Sequence, residues 1–120
     1  MSDVRIGTCG FCLPQEEFFR TFRLVEIQQT FYQPPQVRTV QRWRERAPED
    51  FAFTLKAFQA ITHAGTSPTY RRCRLSDAQR AECGGFRDTP TVREAWHTTR
   101  ALADAMRAEG VVFQCPASLR

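Results

Sequence analysis

An α/β fold, part of a β/α barrel with about four parallel strands and three helices, is what this 120-residue sequence predicts. Two observations carry that expectation. Strand-like and helix-like patterns alternate along the chain, the order that yields parallel strands joined by crossover helices. The strands are also one-sided. Val25 and Ile27 share one face of the second strand and Glu26 and Gln28 the other, while in the third Phe51, Phe53 and Leu55 oppose Ala52, Thr54 and Lys56. A doubly wound sheet, covered on both sides, needs apolar residues on both faces. Here the helices take the apolar face, and the polar one is left for a lumen, solvent or a partner.

The elements follow in order. Val4 to Thr8 reads as a short strand ending at glycine and cysteine, and Pro14 opens a helix that gathers Phe18, Phe19 and Phe22 on one face. Leu24 to Gln29 is the second strand, leading into the aromatic, proline-marked stretch Thr30 to Pro35. Val37, Val40 and Trp43 then recur at three-residue steps, the mark of a helix that Pro48 stops. Phe51 to Ala57 is the third strand, and a long polar loop with at most one short helix follows it. Thr89-Pro90 has the form of an N-cap with proline at the first helical position. The helix it starts carries an apolar stripe of Val92, Ala95, Trp96, Thr99, Leu102, Ala103 and Met106, with Gly110 placed for a left-handed C-cap and His97 one residue off the stripe, at the surface. Val111 to Gln114 is the fourth strand.

Composition bounds the answer. The length suits one domain, residues 1–120, and 42% hydrophobic with 25% charged residues is ordinary for a globular chain. No apolar run approaches the roughly 20 residues of a membrane span, and Met1 to Gly7 lacks the sections of a signal peptide, so a cytoplasmic protein without a membrane role is expected. The net charge of +4 admits anionic partners, although much of it is spread along helices. Of seventeen basic residues sixteen are arginine; the one lysine, Lys56, closes the third strand. Burial shifts the pKa of lysine far more readily than that of arginine, which makes Lys56 a candidate for chemistry.

Six blocks carry a family resemblance: Ile6-Gly-Thr-Cys-Gly10, Val25-Glu-Ile-Gln-Gln-Thr-Phe-Tyr-Gln-Pro-Pro35, Phe53-Thr-Leu-Lys-Ala57, Ile61-Thr-His63, Glu82-Cys-Gly-Gly-Phe-Arg87 and Phe113-Gln-Cys-Pro-Ala-Ser118. In order and spacing they strongly resemble the YecE-like family, the domain of unknown function 72. The resemblance implies a TIM-like β/α barrel about twice this length, of which this chain would be the amino-terminal half. It implies no established reaction and leaves any cofactor unknown.

Active sites of such barrels lie where the strands end. Glu26 and Gln28 at the second strand, Lys56 at the third, His63 beyond it and Gln114 at the fourth are therefore expected to converge, and each falls on a motif position of the family. Glu26 is a candidate general base or partner of Lys56, Lys56 an anion ligand, base or nucleophile, and His63 a proton shuttle. Tyr32, with Phe31, is expected to wall the pocket. The purely structural alternative is a Glu26–Lys56 ion pair beside a histidine that hydrogen-bonds backbone.

Other motifs say less. Cys9-Gly-Phe-Cys12 is a CxxC before a helix, where a helix N-terminus lowers thiol pKa, so a redox pair or half of a metal site competes with plain reduced thiols. The resemblance favours the plain reading, since the family commonly has serine at the place of Cys9. No second closely spaced pair completes a metal site, and Gly84-Gly85 matches no nucleotide-binding loop. Tyr70-Arg71-Arg72-Cys73-Arg74 is the local basic cluster, able to grip phosphate and stack a base through Arg71, Arg72 and Tyr70.

Two classes of function stay open: an enzyme acting on an anionic small molecule or polymer, and a nucleic-acid or protein binding module without catalysis. Four strands of an eight-strand ring leave two open edges and an incomplete site. The expectation for this chain alone is thus weak activity, with self-association or a complementing half-barrel as the remedy.

Overall fold

The structure, a computed structural model, describes residues 4–119; Met1 to Asp3, part of the stretch considered above for a signal peptide, and Arg120 lie outside the described residues. Four parallel strands form one sheet in the order β1 (Gly7–Cys9), β2 (Leu24–Ile27), β3 (Ala52–Lys56) and β4 (Gly110–Val112). Around it run α1 (Gln15–Thr21), α2 (Gln29–Tyr32), α3 (Val37–Arg46), a 3-10 helix (Pro68–Arg72), α4 (Asp77–Ala81) and α5 (Pro90–Met106). This is the expected partial TIM-like β/α barrel with all four strands in chain order.

The alternation read from the sequence sorts the two faces. Val25, Ile27, Phe53 and Leu55 are buried against the helices, with Phe18 and Phe19 from α1, Val40 from α3, Phe51, and Leu102 and Met106 from α5. Burying a side chain of this size stabilises by about 1.5–3 kcal/mol. The aromatic rings meet mostly edge to face: Phe19 and Phe51 lie 4.9 Å apart, Phe51 and Phe53 5.1 Å. Arg44 is buried on the same side. Its guanidinium sits 4.9 Å from the centre of the Phe53 ring and donates to the carbonyls of Phe51 and Pro48, which replaces the water it loses.

Several expectations about element ends and one about a side chain change. The first strand, expected from Val4 to Thr8, runs from Gly7 to Cys9, and the fourth, expected to reach Gln114, ends at Val112. The second strand stops at Ile27, because Gln28 has helical backbone angles and the start of the proline-marked stretch is α2. The last helix ends at Met106; Arg107, not Gly110, takes the left-handed cap, and Gly110 pairs with Thr54 as the first residue of β4. Trp96 leaves the apolar stripe for the surface, 40% exposed, where its ring lies 6.0 Å from that of Phe113.

The largest correction concerns the segment after β3. Rather than a polar loop with at most one short helix, it holds two helical pieces and its own core: residues 57–63 are all buried, with Ala57, Phe58, Ala60 and Ile61 packing on Tyr70, Cys73, Cys83, Val92 and Ala95. Hydrogen bonds shape it. The Tyr70 hydroxyl donates to the carbonyls of Gln59 (3.1 Å) and His63 (2.7 Å), and Arg80 and Arg87 donate to carbonyls of the same segment. Ser76 and Gln79 form a capping box on α4. The corner at Gly84, Gly85 and Phe86 has three successive positive φ angles of 95°, 63° and 54°, and all three backbone N–H groups donate to the carbonyls of Ala60, Thr62 and Ile61 respectively. A Cβ on Gly84 would lie 2.6 Å from the backbone nitrogen of Ala64, so backbone angle and space both require glycine.

Across the sheet, Arg5 ahead of β1 pairs with Glu109 ahead of β4 at 2.7 Å, joining positions 104 residues apart. Among the described residues no helix is long and apolar enough to cross a membrane.

Candidate functional site

Parallel register puts Cys9, Glu26, Thr54 and Gly110 in one row across the sheet, on the face away from the helices. Lys56 lies one row further along on that face. The sequence expectation of a polar layer at the strand ends thus has a concrete geometry. The Glu26 carboxylate is held from both sides: Gln28 Nε2 donates to Oε2 at 2.6 Å and the Cys9 thiol donates to the same oxygen at 3.4 Å. Gly10, at φ 76°, turns the chain back after β1 and donates its N–H to the Glu26 carbonyl at 2.8 Å.

That arrangement weighs against the redox alternative for Cys9, the lesser of the readings given to the CxxC. The hydrogen bond to Glu26 and the carboxylate charge push the Cys9 pKa up, with the more distant Lys56 pulling the other way, so a helix N-terminus does not activate this thiol. The helix α1 begins only at Gln15, and all five cysteines are free. Among the described residues no cluster of three or more His, Cys, Asp or Glu is arranged to hold a metal ion.

Lys56 is half-buried. Its ammonium lies 5.9 Å from the centre of the Phe31 ring, and among the described residues no ion pair joins it to Glu26. Phe31, buried on α2, is the hub of the second half of the site: the His63 ring meets it edge to face at 5.0 Å and Tyr32 at 4.9 Å. The turn that presents Phe31 is tied down by Thr30, whose hydroxyl donates to the Lys56 carbonyl at 2.7 Å. His63 is itself buried, its Nδ1 paired with the Thr62 hydroxyl at 2.8 Å, and burial lowers its pKa. A neutral imidazole at pH 7 follows.

Gln59 joins this layer to the basic cluster. Fully buried, it takes its N–H to the Phe31 carbonyl and its Nε2 to the carbonyls of Tyr32 (3.0 Å) and Thr69 (3.1 Å), clamping the end of α2 to the 3-10 helix. Between those two elements opens a cleft of about 400 Å³ lined by Gln29, Tyr32, Gln33, Thr69, Arg71 and Arg72. Tyr32 is 48% exposed there, and Arg71 and Arg72 are exposed with no ion pair among the described residues. By contrast Arg5, Arg93 and Arg107 each hold a carboxylate.

The structure therefore collects the sequence candidates in two neighbouring groups. Glu26, Gln28 and Lys56 share the polar face of the sheet; Tyr32, Arg71 and Arg72 share the cleft; His63 contacts Phe31 between them but is buried. Gln114 lies two residues beyond β4, exposed, with no hydrogen bond to these residues among those described. Sequence reasoning missed Cys9 as a direct partner of Glu26, and Gln59 as the clamp. The first was legible in principle from strand register; nothing in the Ala57 to Ala60 stretch marks the second.

Comparison with known proteins adds the family. The model of DUF72, described as a protein of unknown function, matches residues 15–120. UPF0759 protein YecE of Escherichia coli K12 is 42% identical over 60 residues, 50% of this chain and 21% of that relative, and the same protein of E. coli O157:H7 matches equally. The crystal structure of a DUF72 family protein from Enterococcus faecalis V583 superposes with a TM-score of 0.62 at 21% identity, over 96% of this chain and 40% of that one. At that identity it speaks to the fold alone. The alignments thus cover about a fifth of the curated relatives and two fifths of the solved one.

Proposed function

The chain belongs to the DUF72 family, and from that premise of fold we propose that its strand-end region binds a phosphate-bearing anionic ligand, with Arg71 and Arg72 as the anion partners and Tyr32 as a stacking face. The observation that carries the reading is the cleft. It brings an aromatic from α2, which follows β2, and two arginines, neither ion-paired among the described residues, from the 3-10 helix after β3 to one concavity. Guanidinium groups without carboxylate partners are ready to donate bidentate hydrogen bonds to phosphate, and an exposed tyrosine offers a π-face to a base.

Glu26 and Lys56, on the adjoining polar face, are the groups we assign to chemistry on such a ligand. Glu26 would act as general base and Lys56 would stabilise developing negative charge. Calorimetric titration with pyrophosphate and with a nucleoside monophosphate tests the binding step. Arg71→Ala with Arg72→Ala should remove both affinities, and Tyr32→Ala should remove only the advantage of the nucleotide. No heat with either anion at low salt would end the proposal. For any substrate then found, Lys56→Met and Glu26→Gln should abolish turnover while the far-ultraviolet dichroism stays unchanged.

A second reading, a nucleic-acid binding module, is favoured by the exposure of Tyr32, Arg71 and Arg72 on an open cleft. Affinity for single-stranded oligonucleotides that falls steeply with salt, with a slope flattened by the arginine replacements, would favour it over a small-molecule site.

A further inference from the structure

The cleft between α2 and the 3-10 helix is rich in hydrogen-bond donors, and the bias extends beyond its arginines. Three main-chain carbonyls around it already accept: that of Gln29 from the Gln33 N–H at 3.1 Å, and those of Tyr32 and Thr69 from Gln59 Nε2 at 3.0 and 3.1 Å. The Thr69 hydroxyl is engaged with that of Ser67 at 2.7 Å. Among the described residues no carboxylate lines the cleft.

Gln33 is oriented by what it holds. Its Oε1 accepts the Arg74 backbone N–H at 2.9 Å, and an N–H can meet only the oxygen of an amide, so Nε2 is the end left over, a donor with no acceptor among the described residues. Gln29, one helical turn earlier on the same wall, is exposed, and neither end of its amide has a partner among the described residues.

We propose that the ligand of this cleft is a nucleoside phosphate whose base carries a ring carbonyl beside a ring N–H, with the Gln29 amide paired to that edge and Gln33 Nε2 donating to the carbonyl oxygen. The inference rests on the anion reading above and adds the class of base. Arg71 and Arg72 take the phosphate and Tyr32 the ring face, which leaves the two amides for the edge of the base. A carbonyl oxygen has two lone pairs and can accept from Gln29 and Gln33 together, while the ring N–H beside it donates to Gln29 Oε1. Adenine presents an amino group in the carbonyl's place. Its N–H donors would face the Gln33 NH₂, donor against donor, and both would go unpaired.

Calorimetry with ribose phosphate, adenosine monophosphate and inosine monophosphate tests the assignment. The two nucleotides offer Tyr32 the same purine face, and at one ring carbon the first carries an amino group and the second a carbonyl. Inosine monophosphate should bind roughly tenfold more tightly than adenosine monophosphate, the discrimination a well-paired base edge supplies. Gln33→Leu should erase that preference and leave the affinity for ribose phosphate as it was. Gln33→Glu puts an acceptor where the donor stood, so it should weaken all three anions and invert the ratio of the two nucleotides. Equal affinity for the two nucleotides, with ribose phosphate still bound, overturns the base assignment and leaves the anion site standing. A preference that survives both Gln33 variants overturns the role given to that residue, and no heat with any of the three compounds ends both readings.

Discussion

Two cores lie side by side in this chain and are built by different means. The first, between the sheet and helices α1, α3 and α5, is made of phenylalanine and aliphatic side chains, with the buried guanidinium of Arg44 lying against Phe53. The second, formed by the segment after β3 against the start of α5, mixes Phe58, Ile61 and Tyr70 with alanines and cysteines on two short helical pieces, and it depends on side chains that donate to backbone carbonyls: Tyr70, Gln59, Arg80 and Arg87. The contrast teaches where a candidate ligand site belongs. The first core sets the strand ends in place, and the second, held by directional bonds that can be rearranged singly, supplies the wall of the cleft with Arg71 and Arg72.

The comparison breaks hardest at Phe53. It is fully buried, 5.1 Å from the Phe51 ring and under the Arg44 guanidinium, so Phe53→Ala should cost about 3–5 kcal/mol and lower the urea midpoint with every probe moving together. Tyr70→Phe takes one donor from two buried carbonyls and should cost about 1–3 kcal/mol. Its mark is local. Hydrogen exchange should accelerate over residues 57–89 while β2 and β3 amides keep their protection; equal acceleration everywhere would mean that the two cores open as one unit. Ser76→Ala removes half of the α4 capping box, should cost about 1 kcal/mol, and should be confined to amides of α4.

The pH dependence is smaller and sharpens the same boundary. Burial holds His63 below the usual 6.5, so in acid the unfolded chain binds a proton that the folded chain resists. Stability attributable to this group is complete above the unfolded value and declines as pH falls through it. The urea midpoint should therefore drop between pH 7.5 and pH 5, and His63→Gln should flatten that drop.

What was legible in the sequence follows the same divide. Period-two alternation placed Val25, Ile27, Phe53 and Leu55 inward and Glu26 and Lys56 on the opposite face, because a strand leaves a side chain no other choice once one face is buried. Parallel order then brought Glu26 and Lys56 to one face without any knowledge of contacts. The partners of these residues were not legible. Whether Glu26 takes Lys56 or Cys9 and Gln28 is decided by side-chain reach, and Lys56 instead lies over Phe31, which α2 lifts into place. Nor did polar composition after β3 disclose a core, because Gln59, Thr62 and His63 are buried through hydrogen bonds rather than hydrophobicity. Gly110 misled for a simple reason: glycine suits a helix cap, but Arg107 reached the left-handed region first and freed Gly110 for the strand.

The corner at Gly84, Gly85 and Phe86 bears on how freely this protein can be redesigned. Its shape is dictated by main-chain angles and by three bonds to residues 60–62, so it is indifferent to what the cleft binds. A randomised library selected only for solubility and fold should return glycine at position 84 while the identities of Arg71 and Arg72 drift. The same library selected for ligand should hold all three. Comparing the two outcomes would separate the residues this architecture needs in order to exist from those it carries in order to act.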